Sequence, residues 1–278
     1  MNKKADLSKL KELRETTGLG FTQCKTALDA TNWDTQKAED YLRVNGSYSK
    51  KLDSRNASEG AIFVWAGSFT SITMIHLACE TDFVAQSSVF SGSGIQIAKI
   101  INEEGFTDTE GCANSAAIQD AISDIKSKVK ENVVIKDFYT LEGSHVAHYI
   151  HSNNSIGVLV DIGSLDVTDD GHVEFAQNIC LQIAACAPVS LSKEDVPEDV
   201  LEREKNVFRK QLKGMEGKPE HLQEKILLGK LGKFFKESCL LDQVYVKESG
   251  MTVQKYVDKT NEFLKSSLVI NGFKRFSK

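Results

Sequence analysis

Proline is scarce in this chain of 278 residues, which contains three prolines, and that scarcity excludes proline-rich linkers. No run of about 18 apolar residues occurs in the sequence, so we expect no segment that spans a membrane. An excess of basic residues is also missing, because 34 Lys and Arg stand against 39 Asp and Glu, for a net charge of -5. We therefore expect no direct contact with nucleic acid, whose phosphates need positive charge to neutralise them.

Paired cysteines are missing as well. The six cysteines are scattered and form no C-x-x-C pair, which in a chain of this length is typical of the reduced thiols of a cytosolic protein. The first 18 residues are charged and resemble neither a secretory signal nor a transit peptide. We therefore predict a cytoplasmic location. With 41% hydrophobic and 26% charged residues, the composition is that of a globular protein.

Three short helices are predicted at the N terminus. Leucines mark the first helix, glycines break it near residues 18–20, a second helix begins near Thr22, and Asp34 is placed to cap a third. We interpret residues 1–45 as a three-helix unit with a small core, whose outer face can serve a partner. The polar residues 46–59 are predicted to form a linker.

The rest of the chain shows one pattern twice, a hairpin followed by helix. The first hairpin has strands at 61–66 and 71–79, with helices near 95–104 and 115–130 and a strand at 133–142; the second has strands at 146–151 and 155–162, then a helix near 173–187. Small residues around Gly92 and Gly94 favour a loop. The repeat, at a spacing of about 85 residues, indicates an α+β fold with two subdomains, at 60–142 and 143–278.

A helical hairpin is predicted inside the second subdomain. Residues 198–213 and 220–236 are amphipathic, and the segment 214–219 between them is a turn. We expect an antiparallel pair of helices over 197–236, with an antiparallel coiled coil as one form of that pair. A helix near 252–263 and a strand at 268–276 complete the subdomain.

Motifs of catalysis are not found. The sequence contains neither a phosphate-binding loop nor a G-x-S-x-G elbow, so we predict no enzyme, no catalytic residue and no cofactor. His145, His148 and His151 have a spacing that gathers ligands on a helix, but the flanking residues favour a strand, which sends His148 to the opposite face. Partly exposed or hydrogen-bonded histidines on a sheet are the favoured interpretation, and a metal site, with a metal-dependent enzyme that uses it, is the alternative. Cys79 is interpreted as a small core residue rather than a reactive thiol.

The segment 81–84 is the more suggestive feature, because an acidic residue and an aromatic residue follow directly on a buried strand. One interpretation is structural: Asp82 caps a helix and the ring of Phe83 is buried locally. The other is functional: Phe83 is an exposed aromatic wedge with a carboxylate beside it, of the kind that dominates interface energies. The sequence alone favours the first interpretation.

Six motifs resemble those of the translation elongation factor Ts family and occur in the order in which that family has them. Together they span nearly the whole chain. They are LKELRETTG at 10–18 with CKTAL at 24–28, CETDFVA at 79–85, LEG at 141–143 with YIH at 149–151 and IGVLV at 156–160, KEDVP at 193–197, GKP at 217–219, and GFKRF at 272–276. The resemblance implies an N-terminal three-helix domain similar to ubiquitin-associated modules, a core of two α+β subdomains and a protruding helical hairpin.

The activity that the resemblance implies is nucleotide exchange on the GTPase elongation factor Tu. A factor of this kind binds the GDP form, loosens Mg²⁺ and GDP, and leaves when GTP enters. Carried over by position, Asp82 and Phe83 form the wedge that disturbs the Mg²⁺ site, and Thr81 and Val84 shape its turn. The other implied contact residues are Arg14, Phe21 and Thr22 in the N-terminal domain and His151 in the second subdomain.

A second hypothesis comes from another class of function. The three-helix unit resembles ubiquitin-associated modules, so the chain could be a peptide-binding adaptor or holdase without exchange activity. The sequence leaves open how many copies of the chain and its partner assemble.

Overall fold

Three short helices open the chain. The computed structural model describes residues 3–17, 19–44, 52–53, 55–212 and 220–278, and it places α1 at Lys3–Thr17, α2 at Phe21–Ala30 and α3 at Thr35–Val44. The small core between them is formed by Leu10, Leu13, Leu19, Cys24, Ala27, Leu28, Ala38, Leu42 and Leu52. Leu52 lies outside the three helices, so residues that follow α3 complete this core.

The third helix has the cap that the sequence predicts. The carboxylate Oδ1 of Asp34 accepts hydrogen bonds from the backbone N–H groups of Gln36 and Lys37, each at 3.1 Å. These two amides lack partners within the helix, and a side-chain acceptor at this position satisfies them.

A first antiparallel sheet follows, with the strand order β1-β2-β3. Its strands are β1 at Glu59–Ala66, β2 at Ser71–Cys79 and β3 at Val134–Glu142. Four helices connect β2 to β3: α4 at Asp82–Ala85, α5 at Ser88–Glu104, α6 at Thr109–Asn114 and α7 at Ala116–Val129. The apolar residues of β1 and β2 pack with those of α5 and α7 in one buried core.

The loop predicted around Gly92 and Gly94 is wrong, because both glycines lie inside α5. The helix begins seven residues earlier than expected, where the Oγ of Ser87 accepts a hydrogen bond from the N–H of Phe90 at 3.2 Å. A Cβ at Gly94 would overlap the ring of Phe63 on β1. Close packing of the helix on the sheet therefore explains a glycine that helix propensity disfavours.

A second sheet repeats the order of the first. Its strands are β4 at Val146–Ile150, β5 at Ile156–Gly163 and β6 at Val269–Ser277, in the order β4-β5-β6. Helices α8 at Asp170–Cys186 and, later in the chain, α11 at Val253–Leu264 pack on this sheet. The hairpin-then-helix order predicted from the sequence is present in both sheets, and the α+β class is confirmed.

The two sheets also pack on each other. A separate apolar cluster joins Ile62, Ile72 and Met74 of the first sheet to Leu159 and Phe276 of the second, with Val146 beside them. The backbone N–H of Ile62 donates to the carbonyl of Asn154 at 2.8 Å. The loops at the ends of the two sheets are thus carried by one packed framework.

Two helices lie in the region predicted as a helical hairpin, α9 at Glu198–Leu212 and α10 at Glu220–Ser238. The ammonium of Lys230 on α10 lies 5.5 Å from the ring centroid of Phe208 on α9. The predicted turn at 214–219 lies outside the described residues. A 3₁₀ turn at Leu240–Asp242 follows and joins the second core.

The predicted domain boundaries, at 1–45, 46–59, 60–142 and 143–278 with the hairpin at 197–236, stay predictions. Of the predicted linker, residues 46–51 and 54 lie outside the described part of the chain. In the part that is described, no helix is both long enough and apolar enough to cross a membrane.

Candidate functional site

Phe83 projects from the turn that follows β2. Its side chain is 84% exposed, whereas Ala85 is buried in the first core and Val84 packs against that core. These two residues seat the short helix α4 on the core, and the ring of Phe83 points away from it. The interpretation in which the ring is buried locally is therefore wrong.

Thr81, and not Asp82, is the cap of this helix. The backbone of Thr81 is extended, with φ -124° and ψ 152°, and its Oγ1 accepts a hydrogen bond from the N–H of Val84 at 3.4 Å. Asp82 is the first residue of α4 and its side chain is exposed. The structure thus brings Thr81, Asp82, Phe83 and Val84 into one turn, with a carboxylate and an aromatic ring side by side in solvent.

The carboxylate of Glu131, a residue distant in sequence, supports this turn through hydrogen bonds. Oε2 of Glu131 accepts hydrogen bonds from the backbone N–H groups of Glu80 and Thr81, both at 3.0 Å, and Oε1 accepts from the hydroxyl of Thr81 at 2.6 Å. In return, Oε1 of Glu80 accepts from the backbone N–H of Asn132 at 2.6 Å. Sequence analysis missed Glu131, because no motif links it to residues 80–84.

The same junction connects to the residues that precede the first sheet. The side-chain amide of Asn132 donates to the carbonyl of Arg55 at 2.7 Å, and the guanidinium of Arg55 lies 3.5 Å from Oε1 of Glu80. An ion pair of 3.6 Å joins Lys130 to Glu39 on α3. The segment that supports the turn of Phe83 is therefore joined to the N-terminal helices through Lys130, the neighbour of Glu131.

Cys79 is a core residue, as the sequence predicts. Its side chain is fully buried, and its Sγ–H donates to the carbonyl of Thr81 at 3.2 Å. Burial raises the pKa of the thiol to about 11. A neutral, buried thiol is a poor nucleophile, so this cysteine supports the strand end and offers no reactive group.

The N-terminal candidates lie on the exposed side of their helices. Arg14 follows buried Leu13 on α1, and Phe21 and Thr22 begin α2. The ring of Phe21 is 50% exposed, which leaves apolar surface for a partner. These three residues flank the connection between α1 and α2, on a part of the chain separate from the turn of Phe83.

The three histidines do not form a metal site in the structure. His151 follows β4 and is exposed, with Nδ1 at 2.9 Å from the hydroxyl of Tyr149. His148 lines an apolar cavity of about 380 Å³ between β4 and α8, and burial lowers its pKa. Over all the residues that the structure describes, no group of three or more His, Cys, Asp or Glu side chains could hold a metal ion.

Comparison with known proteins points to one family. A family model described as Elongation factor TS matches residues 80–278, from the start of the Phe83 turn onward. The chain is 37% identical to Elongation factor Ts of Clostridium botulinum (strain Alaska E43 / Type E3), over 97% of this chain and 91% of that protein. It is 36% identical to Elongation factor Ts of Hydrogenobaculum sp. (strain Y04AAS1), over 96% of both chains, and 33% identical to that of Clostridium perfringens (strain SM101 / Type A).

Proposed function

This chain belongs to the elongation factor Ts family, and from that membership we propose that it promotes the exchange of GDP for GTP on elongation factor Tu. It is a translation elongation factor, and we place its activity in the cytoplasm, where elongation takes place. The observation that carries the proposal is Phe83, a large apolar ring that is 84% exposed at the tip of a firmly held turn. An aromatic ring that a partner buries contributes strongly to the binding energy.

In the proposed mechanism, Phe83 enters the GTPase domain of the partner and displaces the groups around its Mg²⁺ site. Loss of Mg²⁺ leaves the phosphates of GDP less compensated, so the nucleotide is released more easily. Asp82 stands beside the ring and adds negative charge close to that site. Thr81 and Val84 act within this protein, since they cap and seat the helix that presents the ring.

Phe83 does not supply the whole effect. A thousandfold faster release needs about 4 kcal/mol off the barrier, whereas burial of one Phe side chain supplies about 1.5–3 kcal/mol. We assign the remainder to further contacts with elongation factor Tu, made by Arg14, Phe21 and Thr22 on one side and by His151 on the other. These contacts fix the orientation in which the ring is inserted.

The direct test mixes this protein with elongation factor Tu that carries a fluorescent GDP, in the presence of excess unlabelled GTP. We expect the fluorescent GDP to leave at a rate that rises with the concentration of this protein and then saturates. No acceleration at any concentration would refute the exchange function. Binding to unfolded chains without acceleration would instead identify the peptide-binding adaptor or holdase.

A further inference from the structure

We propose that Glu131 is the positioning residue for Phe83, a role that rests on the exchange function proposed above. The three hydrogen bonds that Glu131 accepts from Glu80 and Thr81 come directly before the helix that carries the ring. Hydrogen bonds to a charged acceptor are stronger than those between neutral groups. The carboxylate therefore holds the backbone from which the direction of Phe83 is set.

The ring cannot set its own direction. Phe83 is 84% exposed, so contacts with its own protein contribute little to holding it. Helix α4 has four residues, which is far below the length at which a helix is stable alone. The direction of the ring depends on the Thr81 cap and on the packing of Val84 and Ala85, and Glu131 holds the cap residue in place.

Glu131 is itself held between two rigid elements. Lys130 ends α7 in the left-handed conformation, with φ 62°, and this turns the chain so that Glu131 faces the end of β2. Asn132, which is buried, donates its backbone N–H to Glu80, and β3 begins two residues later. The reciprocal bonds between residues 80–81 and 131–132 therefore fasten the turn to a helix end and a strand start.

Glu131→Ala is expected to leave the backbone N–H groups of Glu80 and Thr81 without this acceptor. The turn then samples several directions, and the fraction of molecules with a correctly placed ring falls. We expect the maximal rate of GDP release to fall about tenfold, because the turn loses its hydrogen bonds to one partly exposed carboxylate. Association changes less, because the other contacts remain. Glu131→Gln keeps one oxygen that can accept both N–H bonds, and it should recover part of the rate.

The experiment measures release of fluorescent GDP from elongation factor Tu at saturating concentrations of each full-length variant. The variants are wild type, Glu131→Ala, Glu131→Gln, Phe83→Ala and the two double variants Glu131→Ala/Phe83→Ala and Glu131→Gln/Phe83→Ala. Glu103→Ala is the matched control, since its carboxylate is exposed on α5 and pairs with Lys99 at 3.7 Å. Circular dichroism confirms that each variant is folded, and if Glu131→Ala is not, the comparison rests on Glu131→Gln with and without Phe83.

A residue that acts through Phe83 has no effect once the ring is gone. We expect Glu131→Ala to slow release in the presence of the ring and to add nothing to Phe83→Ala. A wild-type maximal rate for both Glu131 variants, or equal losses with and without the ring, would overturn the positioning role. A wild-type rate for Phe83→Ala would instead overturn the proposed wedge, so the two failures are distinguishable.

Discussion

The substitution Phe83→Ala is expected to change the action of this protein on a partner without changing its stability. The ring is 84% exposed and lies on a four-residue helix that Thr81 caps and Val84 and Ala85 seat on the core. Truncation at an exposed site of this kind changes the free energy of unfolding by no more than about 0.5 kcal/mol. We therefore expect the variant to fold and melt like the wild type.

The loss in exchange is predicted to be much larger. If the ring is buried in the partner when GDP leaves, its removal takes away about 1.5–3 kcal/mol. Since about 1.4 kcal/mol corresponds to a factor of ten in rate, the maximal rate of GDP release should fall roughly ten- to a hundredfold. Exchange above the unassisted rate should remain, because the other contacts are intact.

Stopped-flow fluorescence with labelled GDP gives both quantities that matter. The concentration series of each variant yields a maximal release rate and a half-saturating concentration. Phe263→Ala is the matched control, because Phe263 on α11 is 85% exposed and belongs to no proposed contact. It has the same chemistry and the same exposure as Phe83 in another part of the fold.

The wedge is refuted if Phe83→Ala retains the maximal rate of the wild type. A parallel loss in Phe263→Ala would also count against it, since the effect would then come from general exposure of aromatic surface. A drop in the thermal midpoint of Phe83→Ala would show that the ring packs within its own protein.

Three further predictions concern the framework and the second contact surface. Gly94→Ala should destabilise the protein by about 1–3 kcal/mol in urea unfolding, because its Cβ would overlap a core ring. Gly92→Ala, with open space around its Cβ, should stabilise it by about 0.5–1 kcal/mol; equal effects at both sites would contradict the packing argument. Arg14→Ala and Phe21→Ala should raise the half-saturating concentration in the exchange assay several-fold and lower the maximal rate by a smaller factor, and unchanged titration curves would exclude this contact. The backbone N–H groups that donate to the carboxylate of Asp34 lower its pKa below the usual 3.8. The stabilisation by this cap is therefore fully present above pH 3.8 and is lost as the pH falls through the lowered pKa of the folded protein. The difference in thermal midpoint between wild type and Asp34→Ala should therefore narrow in acid, where the neutral carboxyl is a weaker acceptor, and a difference that stays constant would argue against the charged cap.

The strands were predictable because their signal is local. Alternating or continuous apolar residues mark each strand, and turn residues bound it. The predicted strand at 133–142 is Val134–Glu142 in the structure, and that at 268–276 is Val269–Ser277. Helix α5 was predicted seven residues too short, because glycine and serine near its start suggest a loop. Glycine at position 94 is instead explained by the close packing of the helix on Phe63, a contact between distant residues.

The candidate site likewise has one part that the sequence predicts and another part that only the fold reveals. Thr81, Asp82, Phe83 and Val84 are contiguous, so the sequence alone places them in one turn. The exposure of the ring depends on how α4 sits on the core, which no local pattern specifies. Glu131 lies 50 residues beyond Thr81, and only the fold shows that its carboxylate meets the end of β2.

Reciprocity sets the balance between this protein and the nucleotide. If insertion of Phe83 and the surrounding contacts weaken GDP binding by some factor, GDP weakens the binding of this protein by the same factor. GDP bound at nanomolar affinity represents about 12 kcal/mol, and whatever part of that free energy this protein removes is removed equally from its own binding. The stable complex is then expected to be nucleotide-free, and an incoming nucleotide releases the exchange factor. A variant in which the ring has less effect weakens GDP binding less, and GDP in turn weakens the binding of that variant less. The complex of such a variant with the GTPase should therefore retain GDP better than the wild-type complex does.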